Sequence, residues 1–317
     1  MESRSMPLRC PELPGSNQHS PNPSSFPAGS EPAQRIVYSA RQSDLQVRAA
    51  AKAIPSIPAH SDNPHMKTNT ALAKMRAGKP AFGLSMGLGV AETGAILSGS
   101  GTEFVMVDRQ HGNWDEREVG RAIAQINLGT ATPMARAAAN DYRLIGQLLD
   151  KGMLGIIVPM VDTPDDARRV ADACLLPPLG RRSWGWNQAS MYGDDYADCI
   201  NDELFVAVQL ESATAVDNAE AILATPGVTG CWMGPSDLAL SLGFHPSEMD
   251  TRDEHRLALE RVLAACRDTG KIPGIAGRGL EDARRRRLQG FQFITVTSDA
   301  ALIAQGASAA RSSLDNL

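Results

Sequence analysis

Long apolar runs, paired cysteines and a strong net charge are all missing from this 317-residue sequence. No apolar stretch reaches the roughly 18 residues that a transmembrane helix needs, so we expect no membrane span. A net charge of −5 is too close to neutral to indicate nucleic acid or a membrane surface as the main partner. The five cysteines form no CxxC motif, which indicates reduced thiols rather than a disulfide framework or a zinc site.

The first 65 residues differ from the rest in having little apolar content. The stretch PELPGSNQHSPNPSSFPAGSEP (11–32) is rich in proline and serine and cannot bury enough surface to offset the entropy of ordering. We therefore predict a disordered extension over residues 1–65 and a folded domain over residues 66–317. Arginine and serine leave a mitochondrial transit peptide as an alternative, but Glu2, Glu12 and Asp44 argue against it, and we expect a cytoplasmic protein.

Eight short apolar runs alternate with amphipathic helical patterns from about Lys79 onward. The runs are AFGLSM (81–86), EFVMVD (103–108), TPMAR (132–136), LGIIVPM (154–160), LFVAVQLE (204–211), VTGCWMG (228–234), KIPGIAG (271–277) and FQFITVT (291–297). This α/β alternation predicts a parallel sheet that is buried on both faces. Eight units over about 240 residues favour a closed (β/α)8 TIM barrel over an open doubly wound sheet.

Two other motifs have simpler interpretations. GLSMG (83–87) matches the G-x-S-x-G nucleophile elbow, but a triad needs a late histidine, and His245 and His255 lie in loop and helix patterns. The glycines are better explained as shaping the first βα loop. RRRR (284–287) lies within one helical pattern, which favours a solvated helix face over a nucleic-acid patch.

Polar residues interrupt the carboxyl ends of several apolar runs. In a (β/α)8 barrel the chemistry collects at this end of the strands and in the loops that follow. Charged side chains are seldom placed beside a buried strand without a partner or a metal. The candidates are Asp108, His111, Arg136, Gln209, Glu211 and the GPSD segment of Gly234, Pro235, Ser236 and Asp237.

The types of these residues indicate a particular chemistry. Glu211 and Asp237 are hard oxygen donors on neighbouring strands and suit Mg²⁺ or Mn²⁺, with water and substrate completing the octahedron. Arg136 is suited to a carboxylate, and backbone N–H groups of the GPSD segment to its other oxygen. His111 would move protons if an acid orients its ring. Asp150, in LLDKG, is a further acid after Arg136.

Five stretches together resemble the HpcH/HpaI family of metal-dependent (class II) pyruvate aldolases, including its macrophomate synthase branch. They are VDRQHGNWD, MARAAANDYRLIGQLLDKGMLGIIVPMVDTPDDA, LLPPLGRRSWG, VQLESATAVDNAEAIL and GPSDLALSLG, in the family's order over about residues 70 to 310. The resemblance implies a (β/α)8 barrel, often with the last helix exchanged between subunits. It implies a homo-oligomer, expected here as a hexamer or trimer.

The resemblance also implies a role for each candidate. Glu211 and Asp237 match the ligands of a divalent ion (Mg²⁺ or Mn²⁺, with Co²⁺ as a third option), and Arg136 matches the arginine that holds the keto acid. His111 and Asp150 match an acid/base dyad. The matches to the substrate site are Gln209, Asp108 and the segment of Gly234, Pro235 and Ser236. Arg109 and Gln110 depart from the family pattern and make the loop about two charges more positive, which changes the expected aldehyde partner or base pKa.

We therefore expect a carbon–carbon lyase that cleaves a 4-hydroxy-2-oxo acid, of the 2-keto-3-deoxy-sugar-acid type, into pyruvate and an aldehyde. The expected mechanism is metal stabilisation of the enolate, with His111 taking the proton of the C4 hydroxyl. Alternatives are a citramalyl- or malyl-CoA-type lyase, and an oxaloacetate decarboxylase or macrophomate-synthase-like enzyme. A non-catalytic binding barrel is a further alternative. It is disfavoured by the presence together of four residues suited to catalysis: His111, Arg136, Glu211 and Asp237.

Overall fold

The structure is a computed structural model that describes residues 65–185 and 188–314. The extension predicted for residues 1–65 lies almost wholly outside this range, so it remains a prediction. Among the described residues, no helix combines the length and the apolarity that crossing a membrane requires.

Eight parallel strands form a closed barrel in chain order, which confirms the predicted α/β architecture. Every predicted apolar run contains one strand. The strands are β1 (Ala81–Met86), β2 (Phe104–Asp108), β3 (Thr132–Arg136), β4 (Gly155–Val158), β5 (Phe205–Leu210), β6 (Gly230–Met233), β7 (Gly274–Ala276) and β8 (Phe293–Ser298). Because β8 pairs with β1, the sheet has no free edge.

Helices connect the strands and cover the outside of the barrel. They are α1 (Thr70–Arg76), α2 (Thr93–Ser98), α3 (Glu116–Ile126), α4 (Tyr142–Asp150), α5 (Pro164–Cys174), α6 (Tyr196–Glu203), α7 (Ala213–Asp217), α8 (Ala219–Leu223), α9 (Pro235–Ser241), α10 (Asp253–Thr269), α11 (Leu280–Gln289) and α12 (Asp299–Leu314). Two 3₁₀ helices, Gln188–Tyr192 and Pro246–Glu248, lie in the longer loops.

The chain forms two hydrophobic layers because strand side chains alternate between the bore and the outer face. The outer layer packs strands against helices. The bore holds large side chains, among them Phe104, Phe205 and Phe293, and α1 adds Leu72 and Met75. The bore is therefore a packed core, and the polar residues singled out from the sequence line its carboxyl end.

Local signals set where the helices begin. Asp115 and Asp141 accept backbone N–H bonds at the starts of α3 and α4, at 2.8 and 2.9 Å. At α5, Thr163 and Asp166 form a reciprocal capping box. Since each cap follows the loop after a strand, these bonds fix where each βα loop ends.

Some expectations were incomplete. The apolar spacing of ATAVDNAEAIL predicts one helix, but α7 ends at Asp217 and α8 begins at Ala219, with Asn218 between them. In the RRRR run, Arg286 is buried beside Asp282 while the other three arginines are exposed, so the helix face is only partly solvated. The four described cysteines are free, yet the Sγ atoms of Cys231 and Cys266 lie 3.6 Å apart.

Candidate active site at the carboxyl ends of the strands

A buried ion pair lies at the carboxyl ends of β2 and β3. Asp108 and Arg136 are neighbours in the strand register. Arg136 Nε donates to Asp108 Oδ1 at 2.8 Å, and Nη2 donates to Oδ2. The guanidinium also lies 5.2 Å from the ring centroid of Trp232 on β6. A bidentate pair over an aromatic face holds the arginine in one orientation at the barrel mouth.

The loop after β2 is a tight turn around Asp108. Its Oδ1 accepts the backbone N–H groups of Gln110 and His111 at 3.1 and 3.2 Å. A Cβ on Gly112 would lie 2.3 Å from the Asp108 carbonyl oxygen, so this position needs glycine. The His111 side chain is exposed, and its ring makes no hydrogen bond within the described residues. Asp108 therefore fixes both the arginine and the loop that presents His111.

The positive charge that Arg109 adds to this loop is balanced by the nearby carboxylate of Glu116. Arg109 Nη1 and Lys151 Nζ donate to the two carboxylate oxygens of Glu116, at 2.8 and 2.7 Å. Although partial burial opposes ionisation, these two bonds hold the pKa of Glu116 below its ordinary value. Gln110 Oε1 is buried without a partner among the described residues.

Glu211 is the most enclosed acid of the site, with 3% of its surface exposed. Its Oε1 accepts the Met160 N–H at 2.9 Å, and its Oε2 accepts the Gln209 side-chain amide. Burial raises the pKa of Glu211, and the nearby Asp237 charge raises it further. The Arg136 charge lowers the pKa of Glu211 by less than these effects raise it, and both printed donors to the carboxylate are neutral, so a metal ion bound to it would offset the remaining cost of its charge.

Asp237, whose charge acts on Glu211, lies in the first turn of α9. The GPSD segment is the start of this helix: Gly234 is its N-cap and Pro235 its first residue. The carbonyl of Pro235 accepts Nε2–H of the buried His255 from α10, at 3.0 Å. Ser236 and Asp237 are exposed in the first turn, where backbone N–H groups have no intrahelical acceptor.

The surroundings of Glu211 and Asp237 fit a divalent cation. Gln209 Oε1 is buried without a partner in the described part of the chain. A Cβ on Gly234 would lie 2.8 Å from Glu211 Oε2, so glycine keeps the space beside this oxygen open. Across residues 65–185 and 188–314 no group of three or more His, Cys, Asp or Glu side chains clusters. Two protein oxygens with water and substrate suit Mg²⁺ or Mn²⁺ better than a closed zinc site.

Among the described residues, Asp150 bonds Arg182 and not His111. It ends α4, and its Oδ1 accepts a bond from the buried Arg182 at 3.1 Å. A Cβ on Gly185 would lie 2.1 Å from an Asp150 carboxylate oxygen, so the following loop packs closely on this acid. The pairing of Asp150 with His111 therefore remains a prediction.

Sequence reasoning missed three contributors to the site. Met160 provides its backbone N–H from a left-handed conformation, with φ 57°, which no side-chain pattern shows. Trp232 lies inside an apolar run, which predicts only a position in the hydrophobic core. His255 lies in a helix and supports the GPSD segment through a carbonyl. Trp232 and His255 can be recognised as part of the site only from their burial beside the barrel mouth.

Fold and site together define a (β/α)8-barrel enzyme with two carboxylates near each other, Glu211 and Asp237, and a buried arginine at the carboxyl face. The HpcH/HpaI aldolase/citrate lyase family pattern matches residues 89–306, and the chain belongs to this family.

Similar proteins agree with this assignment. The 4-hydroxy-2-oxo-heptane-1,7-dioate aldolase of Escherichia coli is 32% identical over 249 residues, which cover 76% of this chain and 93% of that protein. An HpcH/HpaI aldolase/citrate lyase family protein from Burkholderia cenocepacia J2315 superposes with a TM-score of 0.74 at 31% identity, covering 78% of this chain and all of the other. Macrophomate synthase shares the fold, with a TM-score of 0.69 at 24% identity, over 87% of this chain and 99% of its own.

Proposed function

We propose that this protein catalyses metal-dependent, reversible aldol cleavage of a 4-hydroxy-2-oxo acid, giving pyruvate and an aldehyde. The observation that carries the proposal is the buried Glu211, which has the Asp237 charge nearby and only neutral donors on its oxygens, together with Arg136 held by Asp108. Membership of a family of aldolases and citrate lyases supports the same chemistry.

Glu211 and Asp237 would hold the cation, for which Mg²⁺ and Mn²⁺ are the first candidates and Co²⁺ a third. A divalent ion supplies Lewis-acid stabilisation of the negative charge that develops on the keto acid when the C3–C4 bond breaks. Met160 N–H and the Gln209 amide orient the Glu211 carboxylate for this task. Their role is to keep the ligand in place before substrate arrives.

The keto acid is held by Arg136 and by the start of α9. Asp108 aligns the guanidinium, so Arg136 meets the substrate without first losing conformational freedom. The N–H groups of Ser236 and Asp237 are donors for the substrate carboxylate.

His111 is the residue that we propose takes the proton from the C4 hydroxyl. Its ring is exposed at the barrel mouth, on a loop that Asp108 holds. Asp150 is the acid that the family resemblance assigns to orienting this ring. The same metal and arginine would also serve decarboxylation of oxaloacetate, because that reaction needs the enolate but no base at C4.

A pyruvate-release assay over a panel of 4-hydroxy-2-oxo acids tests this function. With Mg²⁺ or Mn²⁺ we expect turnover of at least one member, and loss of that turnover in Asp237→Asn. The matched control is Asp217→Asn, which changes an exposed carboxylate paired with Arg261 on the outer face. Absence of pyruvate across the whole panel, in protein shown to be folded and to bind metal, would contradict the proposal.

We also propose that the protein is a homo-oligomer, a trimer or hexamer, in which α12 packs on another copy. This 16-residue helix exposes Leu302, Ile303 and Leu314, whose exposed fractions are 37, 57 and 60%. Light scattering should report a multiple of 33.8 kDa. Ile303→Glu should shift the mass towards that of one chain, whereas Ser308→Glu on the same helix serves as the comparison. A monomeric wild-type protein would exclude this assembly.

A further inference from the structure

A cavity of about 670 Å³ lies at the amino ends of the strands, on the face of the barrel opposite to the candidate active site. Its wall is formed by the segments that lead into β1, β6, β7 and β8 and by the ends of α1, α10 and α11. We call this space the amino-face cavity. Because the chemistry of (β/α)8 barrels takes place at the carboxyl face, the proposed reaction gives this cavity no role.

Three cations line the amino-face cavity, and no Asp or Glu of the described chain lines it. Arg76 is the last residue of α1, Arg267 lies in the last turn of α10, and Lys271 lies between α10 and β7. Arg76 and Arg267 are exposed, and their guanidinium groups make no hydrogen bond or ion pair with residues 65–185 or 188–314. The cavity therefore carries positive charge that no carboxylate in its wall offsets.

Lys271 is the cation that gains most from a ligand. It is half-buried, and its Nζ donates to the Val228 carbonyl oxygen at 2.6 Å. Burial lowers the pKa of Lys271 below its ordinary value, and no neighbouring carboxylate opposes this effect. Because an ammonium group has three N–H donors, others remain for an anion, whose charge would offset the cost of burying this cation.

Helix ends account for only part of this positive charge. The carboxyl ends of α1, α10 and α11 lie at the cavity, and each carries a partial negative charge of at most about half an elementary charge. Arg76 and Arg267, in the last turns of their helices, offset two of these partial charges. Three such ends against three cations still leave an excess of about 1.5 positive charges.

Part of the cavity wall is apolar. It includes Leu175, Leu179, Val228 and Leu263, and Leu179 exposes 59% of its surface. The volume falls within the roughly 300–1,000 Å³ of small-molecule sites. A cationic side next to an apolar side suits a ligand that combines an anionic group with an apolar body.

We propose that the amino-face cavity binds a phosphate monoester with an apolar or aromatic body, at a site separate from the candidate active site. A phosphate monoester carries nearly two negative charges and three terminal oxygens, so it can meet Arg76, Arg267 and Lys271 from three different segments. A carboxylate has one charge and two oxygens and satisfies fewer of them. The body of the ligand packs on the leucines of the wall. This inference does not depend on the proposed function.

The first experiment is isothermal titration calorimetry of the full-length protein with three probes. Phenyl phosphate and benzoate share a ring and differ in the anionic group, while inorganic phosphate lacks the ring. We expect phenyl phosphate to bind at least ~10-fold more tightly than benzoate, the effect of one further charged hydrogen bond. We also expect it to bind more tightly than inorganic phosphate, because the ring buries apolar surface. Equal affinity for all three probes, or no binding of phenyl phosphate at millimolar concentration, would overturn the inference.

The second experiment locates the binding site with variants of the three cations. Lys271→Gln should weaken phenyl phosphate binding about 10-fold, because this cation is half-buried. Arg76→Gln and Arg267→Gln should weaken it about 2- to 5-fold, since exposed charges are screened by water. Arg261→Gln, the same replacement on α10 at a residue that pairs with Asp217 and is not part of the cavity wall, is the control. Unchanged affinity in all three cavity variants would place the ligand elsewhere and contradict the assignment.

A third measurement separates ligand binding from a purely structural role of these cations. Lys271→Arg keeps the charge and should retain most of the affinity that Lys271→Gln loses. Phenyl phosphate should also raise the melting temperature of the wild-type protein, and this rise should shrink in Arg267→Gln, whose exposed side chain is not needed for folding. Variants that lower the melting temperature, without any change in it on adding phenyl phosphate to the wild type, would show that the cations only stabilise the helix ends and would reject the inference.

Discussion

At the scale of single residues, the site depends on charges that are unequally compensated. Arg136 and Asp108 neutralise each other in a buried bidentate pair. Glu211 is buried with only neutral donors on its oxygens and a second acid nearby, and its pKa is raised. The arginine is therefore set for positioning, while the glutamate gains most from binding a cation.

His111 is predicted to act in C4–OH deprotonation and not in enolate stabilisation. His111→Ala should lower kcat for aldol cleavage by roughly 10²–10⁴-fold, the usual scale for a general base. Oxaloacetate decarboxylation should fall much less, because that reaction removes no C4–OH proton. The measurement is the ratio of the two activities in the variant, with the exposed His245→Ala as control. Equal losses would show that His111 supports the metal site or the loop instead.

His255 gives a pH dependence of stability. Burial lowers its pKa from the ordinary 6.5, with Arg286 and Arg278 adding to the effect despite the bond to Pro235. Just below pH 6.5, His255 therefore binds a proton in the unfolded chain but not in the folded chain. Stability from this site is therefore complete above pH 6.5 and is lost as the pH falls below that value. His255→Gln should flatten the change in urea midpoint between pH 7.5 and 5. An unchanged slope would refute this role.

The candidate side chains themselves were predictable because Asp108, Arg136 and Glu211 each break an apolar run at a strand end. Their partners were not. Asp108 and Arg136 are 28 residues apart, and only the strand register makes them neighbours. The Arg182 partner of Asp150 comes from a loop with no periodic pattern. The pattern of a single sequence shows which residue types lie at the strand ends, but it does not show which contacts the loops form.

At the scale of elements, the segment between β4 and α5 has the most unusual backbone. Met160, at φ 57°, is the one non-glycine residue with positive φ in the described chain. The conformation turns its N–H onto Glu211. The side chain is 61% exposed, so packing does not explain the conformation. We interpret it as strain that is retained for orienting a ligand carboxylate.

Variants of Met160 test that interpretation. Val is β-branched and disfavours positive φ, so Met160→Val should destabilise the protein by about 1–2 kcal/mol and weaken Mn²⁺ binding. Met160→Gly keeps the N–H and accepts the conformation, so its stability and metal affinity should stay close to wild type. Urea unfolding and Mn²⁺ titration measure the two effects. Equal behaviour of Val and Gly would remove the link between this turn and Glu211.

Strands were easier to predict than helices here for a physical reason. A strand buried on both faces gives a continuous apolar run, and all eight runs contain one. Helices need a periodic apolar face, and α12 lacks one: apart from Asp299 at its start, none of its residues is buried. The break between α7 and α8 at Asn218 is a local turn inside a periodic pattern, which periodicity does not detect.

At the scale of the whole molecule, barrel closure brings distant strand ends to one rim. Gly87 and Leu88 after β1 donate backbone N–H groups to Asp299 after β8, which ties the first and last units together. Closure could be predicted from eight alternating units. The cavity of about 390 Å³ beside Arg136 could not be predicted, because its wall combines residues of β1, β6 and β8 that are far apart in the sequence.

The folded unit is predicted to be independent of the residues before it. Removing residues 1–65 should leave the melting temperature nearly unchanged, since that segment has little apolar content. Removing residues 1–77 also deletes α1 and should lower it by many degrees, because Leu72 and Met75 are buried in the barrel core. Calorimetry of both truncated proteins measures the two melting temperatures. A large drop in the first truncation would show that residues 1–65 stabilise the barrel.

The most direct test of the central claim is pyruvate release from a 4-hydroxy-2-oxo acid by protein stripped of metal with EDTA and then resupplied. We predict that activity disappears on stripping and returns with Mg²⁺, Mn²⁺ or Co²⁺, and that Glu211→Gln recovers little at the same metal concentration. Full activity in metal-free protein would contradict the assignment of Glu211 and Asp237 as ligands and of the reaction as a metal-dependent aldol cleavage.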